Sequence, residues 1–300
     1  MAQAPLLTAT LIVLIGAVHC AGGEAQTPPA SELKVAHHAR SLQPGEVVLL
    51  TVVSPKPLQS ASGTVFRKSF PLFQNREAGV WQGLIGIDPE SAAGSYKIRL
   101  RCTCADGTTL EGGDVLEVRS KVFPTRRLTV EERYVTPPAE TEERIRLESQ
   151  RVEEIFSLLN PRRIWNGPFV APVHAPPTSS FGRRTILNGK PRSPHWGTDF
   201  TADAGAPVMA PNSGRIVLAA DLYFSGNTII IDHGLGLYSF LAHLSQIGVH
   251  EGDEVRAGSQ VGRVGATGRA TGPHLHWTVR LNSVRVDPLS LIAALAKPPP

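Results

Sequence analysis

At 300 residues, 41% hydrophobic and 19% charged, the chain has room for two modest domains with apolar cores, which argues for a globular protein of more than one part. Its net charge of +4 suits an anionic wall or membrane surface, and no interleaving of aromatic and basic residues supports a nucleic-acid partner. Three cysteines, only two of them close in sequence, exclude a tetrahedral cysteine zinc site.

Residues 6–18, "LLTATLIVLIGAV", form an apolar run too short to span a bilayer as a helix. The run matches the apolar part of an export signal, with a small-x-small site ending at Ala25, and predicts residues 1–25 to be a signal peptide and the mature chain to be periplasmic or secreted. No Lys or Arg precedes it, so an uncleaved anchor is the competing reading. His19 stands where a lipidation signal at Cys20 needs a small residue, which argues against a lipid anchor.

Residues 26–125 hold short β-branched runs, "GEVVLLTVV", "GTVFRKSFPLF", "VWQGLIGID", "GSYKIRLRC" and "DVLEVRS", separated by turn residues. That pattern predicts a β-sandwich-like domain. His37 and His38 are adjacent, so on a strand they face opposite ways, and both are expected at the surface. Cys102 and Cys104 on one strand lie roughly 6.5 to 7 Å apart at Cα, the outer limit for a disulfide, so strained bridge and free thiols both remain open. Residues 126–162 read as a helical linker: Val152, Ile155, Phe156 and Leu159 recur at helical spacing until Asn160 and Pro161 stop them. Residues 163–300 become glycine-rich and strand-like and contain seven of the ten histidines. The whole is expected to be mainly all-β, with an N-terminal sandwich, an amphipathic helix and a C-terminal antiparallel β domain.

Two short stretches of that last domain carry chemistry. In "SPHWGTDF", His195 and Asp199 are four apart, about 13 Å on a flat strand, whereas two ligands of one zinc have donors about 3.5 Å apart. Pro194 and Gly197 predict the bend that would bring them together. In "TGPHLHW", His274 and His276 share one face of a strand. His195, Asp199 and one of that pair make three ligands and leave a position for water, the composition of a catalytic zinc site. Spacing does not say which member of the pair binds. His243, in "LAHLS", would add a fourth imidazole, leaving two histidines outside the metal shell as base and as support for a developing oxyanion.

The segments "SSFGRR", "SPHWGTDF", "GAPVMAP", "GNTIIIDHG", "LAHLS", "GSQVGRVGATGRATGPHLHW" and "VDP" occur in an order and spacing that resembles the lysostaphin- and LytM-type zinc metallopeptidases, over about residues 165 to 290. The resemblance implies one zinc ion on His195, Asp199 and His276, with His274 as general base and His243 as second catalytic histidine. It implies endopeptidase action on the peptide cross-links of bacterial peptidoglycan, with stem peptides as partner and a regulatory protein of the cell envelope as a further one. Oligomeric state is not implied. Among cross-links, D-Ala to diaminopimelate in a Gram-negative periplasm is favoured. The sequence departs from the pattern at Leu241, where many relatives carry Tyr, and His233 in "IDHG" is expected outside the metal shell. Arg184 is a candidate for a stem-peptide carboxylate, against the plainer reading of a surface arginine. The alternative function is a non-catalytic wall-binding activator of another hydrolase, which the presence of all these histidines disfavours. A lipoyl-like carrier, suggested by "VRAGSQVG", lacks a modifiable lysine in that hairpin.

Overall fold

Alternation of apolar and polar side chains produces strands along most of the chain, and the computed structural model describes residues 32–75, 77–129, 138–179 and 181–296. The expected signal at residues 1–25 and the proline-rich end lie outside the described residues. Among the described residues no helix is long and apolar enough to cross a membrane.

The first half is an antiparallel seven-stranded sheet in the order Lys34–Ala39, Val47–Val53, Val80–Gly86, Lys68–Gln74, Leu58–Val65, Gly94–Cys104, Thr109–Val118. The run "GTVFRKSFPLF" is two paired strands, not one, because Phe66 (φ 52°) and Arg67 (φ 60°) turn the chain through the left-handed region. Val48, Leu50, Phe70, Leu72, Trp81, Ile98, Leu100 and Leu116 fill the core that the sheet encloses. The two edge strands meet where His37 Nδ1 lies 2.6 Å from Asp114 Oδ2. His37 is therefore half-buried and paired rather than simply solvated, while His38 on the opposite face is exposed. Cys102 and Cys104 are free and buried on the inner face of one strand, and burial raises the Cys102 thiol pKa.

Beyond Phe123 the chain does not pass straight into a helical linker. Thr125–Leu128 is a strand that pairs in parallel with Arg184–Leu187, part of a small three-stranded sheet completed by Lys190–Arg192. The helix α1 follows at Glu142–Ser157. Its buried Phe156 packs with Leu218, Leu222, Ile230 and Tyr238, and Glu153 pairs with Arg280. Leu159, expected on the apolar stripe, lies past the last turn and is 58% exposed.

The second half is a ten-stranded sheet whose central strands are Gly214–Leu222, Gly226–Gly234, Leu237–Ile247 and Leu275–Leu281, with the short Thr198–Phe200 beside the last. Helix α2 (Pro288–Leu295) closes it, capped by Asp287, whose carboxylate accepts from Leu289 N at 2.9 Å. From Glu32 onward the chain forms one compact unit. Val47, Phe73 and Leu84 of the first sheet belong to the same apolar core as Trp165, Phe169, Trp277, Val286 and Leu291. Arg40 joins Glu46 at 2.7 Å and Asp287 at 2.6 Å, and Val47 N donates to Ser290 Oγ at 2.8 Å, so the first sheet also grips the capped end of α2.

Candidate metal and catalytic site

Strand register assembles the centre of the site. Asp199 sits directly opposite His276, and His276 directly opposite Ala242, so the first two side chains share one face of neighbouring strands. His195 reaches them from outside the strand, across the bend at Gly197. A Cβ on Gly197 would come within 2.6 Å of His276 Cε1 and 2.7 Å of Trp277 O, so only glycine allows this close approach. The "FGRR" turn holds His195 by its backbone: Gly182 N donates to His195 O at 2.7 Å and His195 N donates to Arg183 O at 2.9 Å.

As a result His195 Nε2, Asp199 Oδ1 and His276 Nδ1 converge at separations of 2.9 to 3.0 Å. Burial disfavours the Asp199 carboxylate, yet the hydrogen bonds from His195 and His276 outweigh it and hold its pKa far below the usual carboxylate range. Burial lowers the pKa of His276. The far side of the His276 ring, Nε2, is 2.9 Å from Thr278 Oγ1. A cation placed among these donors would reverse the tautomer: Nε2 would then donate to the hydroxyl, and Nδ1 would give up its hydrogen bond to Asp199 and turn its lone pair to the cation.

His274 is set differently. Its Nδ1 donates to Gly272 O at 2.8 Å, which leaves Nε2 as the lone-pair nitrogen of the neutral ring, 3.9 Å from Asp199 Oδ1. His243 reaches the same place by a break in the strand pattern. Ala242 is in register with His276, so regular alternation would send the next side chain to the other face. Between Leu241 and Leu244 the strand carries one residue more than its partner between Ile229 and Asn227, and His243 takes φ 63° in that bulge. Its ring then stands 4.7 Å from that of His274 and 6.0 Å from that of His276. Its Nδ1 donates to Thr267 O at 2.9 Å, and burial pushes its pKa down to about 4.

Of these groups His195, Asp199 and His274 open onto a cleft of about 390 Å³, which Arg126, Arg183 and Thr201 also line. Arg184 is exposed and is not among the lining residues; its neighbour Arg183 is. No residue of α1 lines the cleft. A second hollow of about 280 Å³, between Val65, Phe70, Leu84 and Val284, contains none of the histidines.

Comparison with known proteins follows the same residues. Residues 193–288 match the model of peptidase family M23. A solved structure of a Pseudomonas aeruginosa protein assigned to peptidase M23 is similar over 85% of this chain and 97% of its own length, with 31% identity and a TM-score of 0.66. The chain belongs to peptidase family M23. Its likeness to that structure runs through both halves, not only through the histidine-bearing sheet. Peptidoglycan DD-endopeptidase ShyB of Vibrio cholerae is 36% identical over 104 residues, 35% of this chain and 24% of that protein. DD-carboxypeptidase/endopeptidase Mpg of Neisseria meningitidis is 42% identical over 97 residues, 32% of this chain and 22% of that protein. The matched stretch is thus about a quarter of the length of those curated relatives.

M23 membership implies a metal, and the donor set can hold one. Two imidazole nitrogens and a carboxylate oxygen suit a divalent ion at about 2.0 to 2.2 Å from each, and separating donors now 2.9 to 3.0 Å apart to the roughly 3.4 Å such an ion requires takes only small side-chain rotations. His233 is outside this group: fully buried, it bonds Ser213 O and Ser239 Oγ, and burial pushes its pKa down to about 4. Leu241 is fully buried in the core, so its position does not face the cleft at all. Sequence reasoning missed Thr278, Thr267, Arg126 and Arg183, while Gly272 and Pro273, which the sequence marks as an irregular approach for substrate, do line the cleft. Of those missed, only Thr278 had a legible signal, being two residues from His276 on a strand and so on the same face.

Proposed function

We propose that this chain is an exported zinc endopeptidase that hydrolyses peptide cross-links of bacterial peptidoglycan. The observation that carries the reading is the convergence of His195, Asp199 and His276, with the rings of His274 and His243 beside them, at a cleft that His195, Asp199 and His274 line. The named activities of the Vibrio and Neisseria relatives support the substrate class, and the apolar run at residues 6–18 supports export to the periplasm or beyond.

In this reading His195 Nε2, Asp199 and His276 Nδ1 hold the zinc. When bound, the ion polarises the scissile carbonyl and lowers the pKa of water toward neutrality. His274 takes the proton at Nε2, the nitrogen that the Gly272 carbonyl leaves unprotonated, and passes it to the leaving amine. His243 steadies an oxyanion only when both its nitrogens carry protons, one for Thr267 O and one for the substrate. Burial opposes that form in the free enzyme, so the role requires His243 to take up a proton from solvent as negative charge develops beside it.

The test is metal content and release of peptide fragments from purified peptidoglycan by the mature chain. About one zinc per chain with release supports the enzyme; full zinc occupancy with no release favours the wall-binding activator. Thr278→Val removes the hydroxyl that orients His276 while keeping its shape. Chelator competition is expected to show zinc binding weakened about 10- to 100-fold, the usual cost of losing such an orienting partner, with melting of the metal-free protein little changed. Unaltered zinc affinity would remove Thr278 from the site.

A further inference from the structure

The small three-stranded sheet places arginines where the reaction does not use them. Arg126 is in register with Thr185, and Thr185 with Arg192, so the three share a face. Arg183, two residues before Thr185, comes to that side as well, and Arg126 and Arg183 both line the cleft beside His195 and His274. Arg192 stands close enough to Arg269 to add to the effect of burial in lowering the Arg269 pKa. Asp199 is the one carboxylate among the cleft-lining residues, and it is committed to His195 and His276. The exposed guanidinium of Arg126 has no ion pair among the described residues.

We infer that Arg126 and Arg183 form a subsite for a free carboxylate of the peptide substrate, next to the amide that is cut. A guanidinium fork matches a carboxylate with two parallel hydrogen bonds, and the subsite selects stem peptides whose side-chain or terminal carboxylate near the cross-link is free rather than amidated. The inference rests on the peptidase reading above. It also gives the first half of the chain a part in substrate choice, because Arg126 lies outside the M23-matched residues 193–288 and reaches the cleft only through the parallel pairing of Thr125–Leu128.

The experiment uses the zinc-loaded mature chain and two synthetic cross-linked peptides, one with free carboxylates and one amidated. The wild type is expected to favour the acid over the amide in kcat/KM by about tenfold or more, the scale of one charged hydrogen-bonded contact. Arg126→Gln and Arg183→Gln are each expected to bring that ratio close to one, with Arg126→Lys retaining part of it. Arg184→Gln, outside the cleft, keeps the wild-type ratio. Binding of both peptides to zinc-loaded His274→Ala is measured in parallel by calorimetry. A ratio that the glutamine variants leave unmoved overturns the subsite. If the wild type cuts neither peptide, the peptidase reading fails, and equal affinities for acid and amide then overturn the subsite too, whereas tighter binding of the acid upholds it.

Discussion

His195→Ala and His276→Ala are expected to lose bound zinc and hydrolysis together, while His274→Ala keeps most of its zinc and loses hydrolysis by about 100- to 10,000-fold, the range of a general base. The distinction is geometric. His276 Nδ1 is 2.9 Å from Asp199 and 3.0 Å from His195 Nε2, inside the donor cluster. His274 Nε2 stands back at 3.9 Å from the same carboxylate, with its ring anchored by Gly272 O. Removing either imidazole of the cluster leaves two donors for an ion that takes three protein ligands in catalytic sites. It also leaves Asp199 partly buried without one of the hydrogen bonds that hold it ionised. Metal content by elemental analysis, beside peptide release, reads both effects. If His274→Ala stripped the metal, the assignment within "HLH" would be reversed.

The same residues show what a sequence makes legible. The all-β character, the helix around Phe156 and the presence of His195, Asp199 and the "HLH" pair could be read from period, turn residues and side-chain chemistry. The division of labour inside "HLH" could not, because it depends on which carbonyl or hydroxyl each ring meets: Gly272 O for His274, Thr278 Oγ1 for His276. Nor could the bulge at His243. No glycine or proline marks it, and without the extra residue the imidazole would point into the core. The pairing of Thr125–Leu128 with Arg184–Leu187 joins residues about 60 apart through four-residue strands, too short for a periodic signal, so nothing in the sequence points to Arg126, while Arg184 is the surface arginine that its plainer reading expects. The close packing of the two halves escaped for a related reason: Val47, Phe73 and Leu84 look like ordinary sandwich residues until the partner surface is known.

That shared core leads to the second large effect. A chain beginning at residue 163 is expected to be strongly destabilised, melting well below one that begins at residue 26. It would lose Val47, Phe73 and Leu84 from the core that contains Trp165 and Phe169, including the edge-on contact of Phe73 with Trp165 at 5.0 Å. It would also lose Phe156 from its place over Leu218, Leu222, Ile230 and Tyr238, and the Ser290 hydroxyl would lose the Val47 amide. Four buried apolar partners at about 1.5 to 3 kcal/mol each come to on the order of 10 kcal/mol, comparable with the whole stability of a domain. Thermal unfolding with and without zinc separates this from simple metal loss, since zinc binding stabilises the folded form of either chain by mass action and leaves the gap between the metal-free forms in place. Melting of the short chain within a few degrees of the longer one would mean that the first sheet only rests on the second. In that case the Arg40 link to Asp287, and not the apolar contacts, would be what joins the halves.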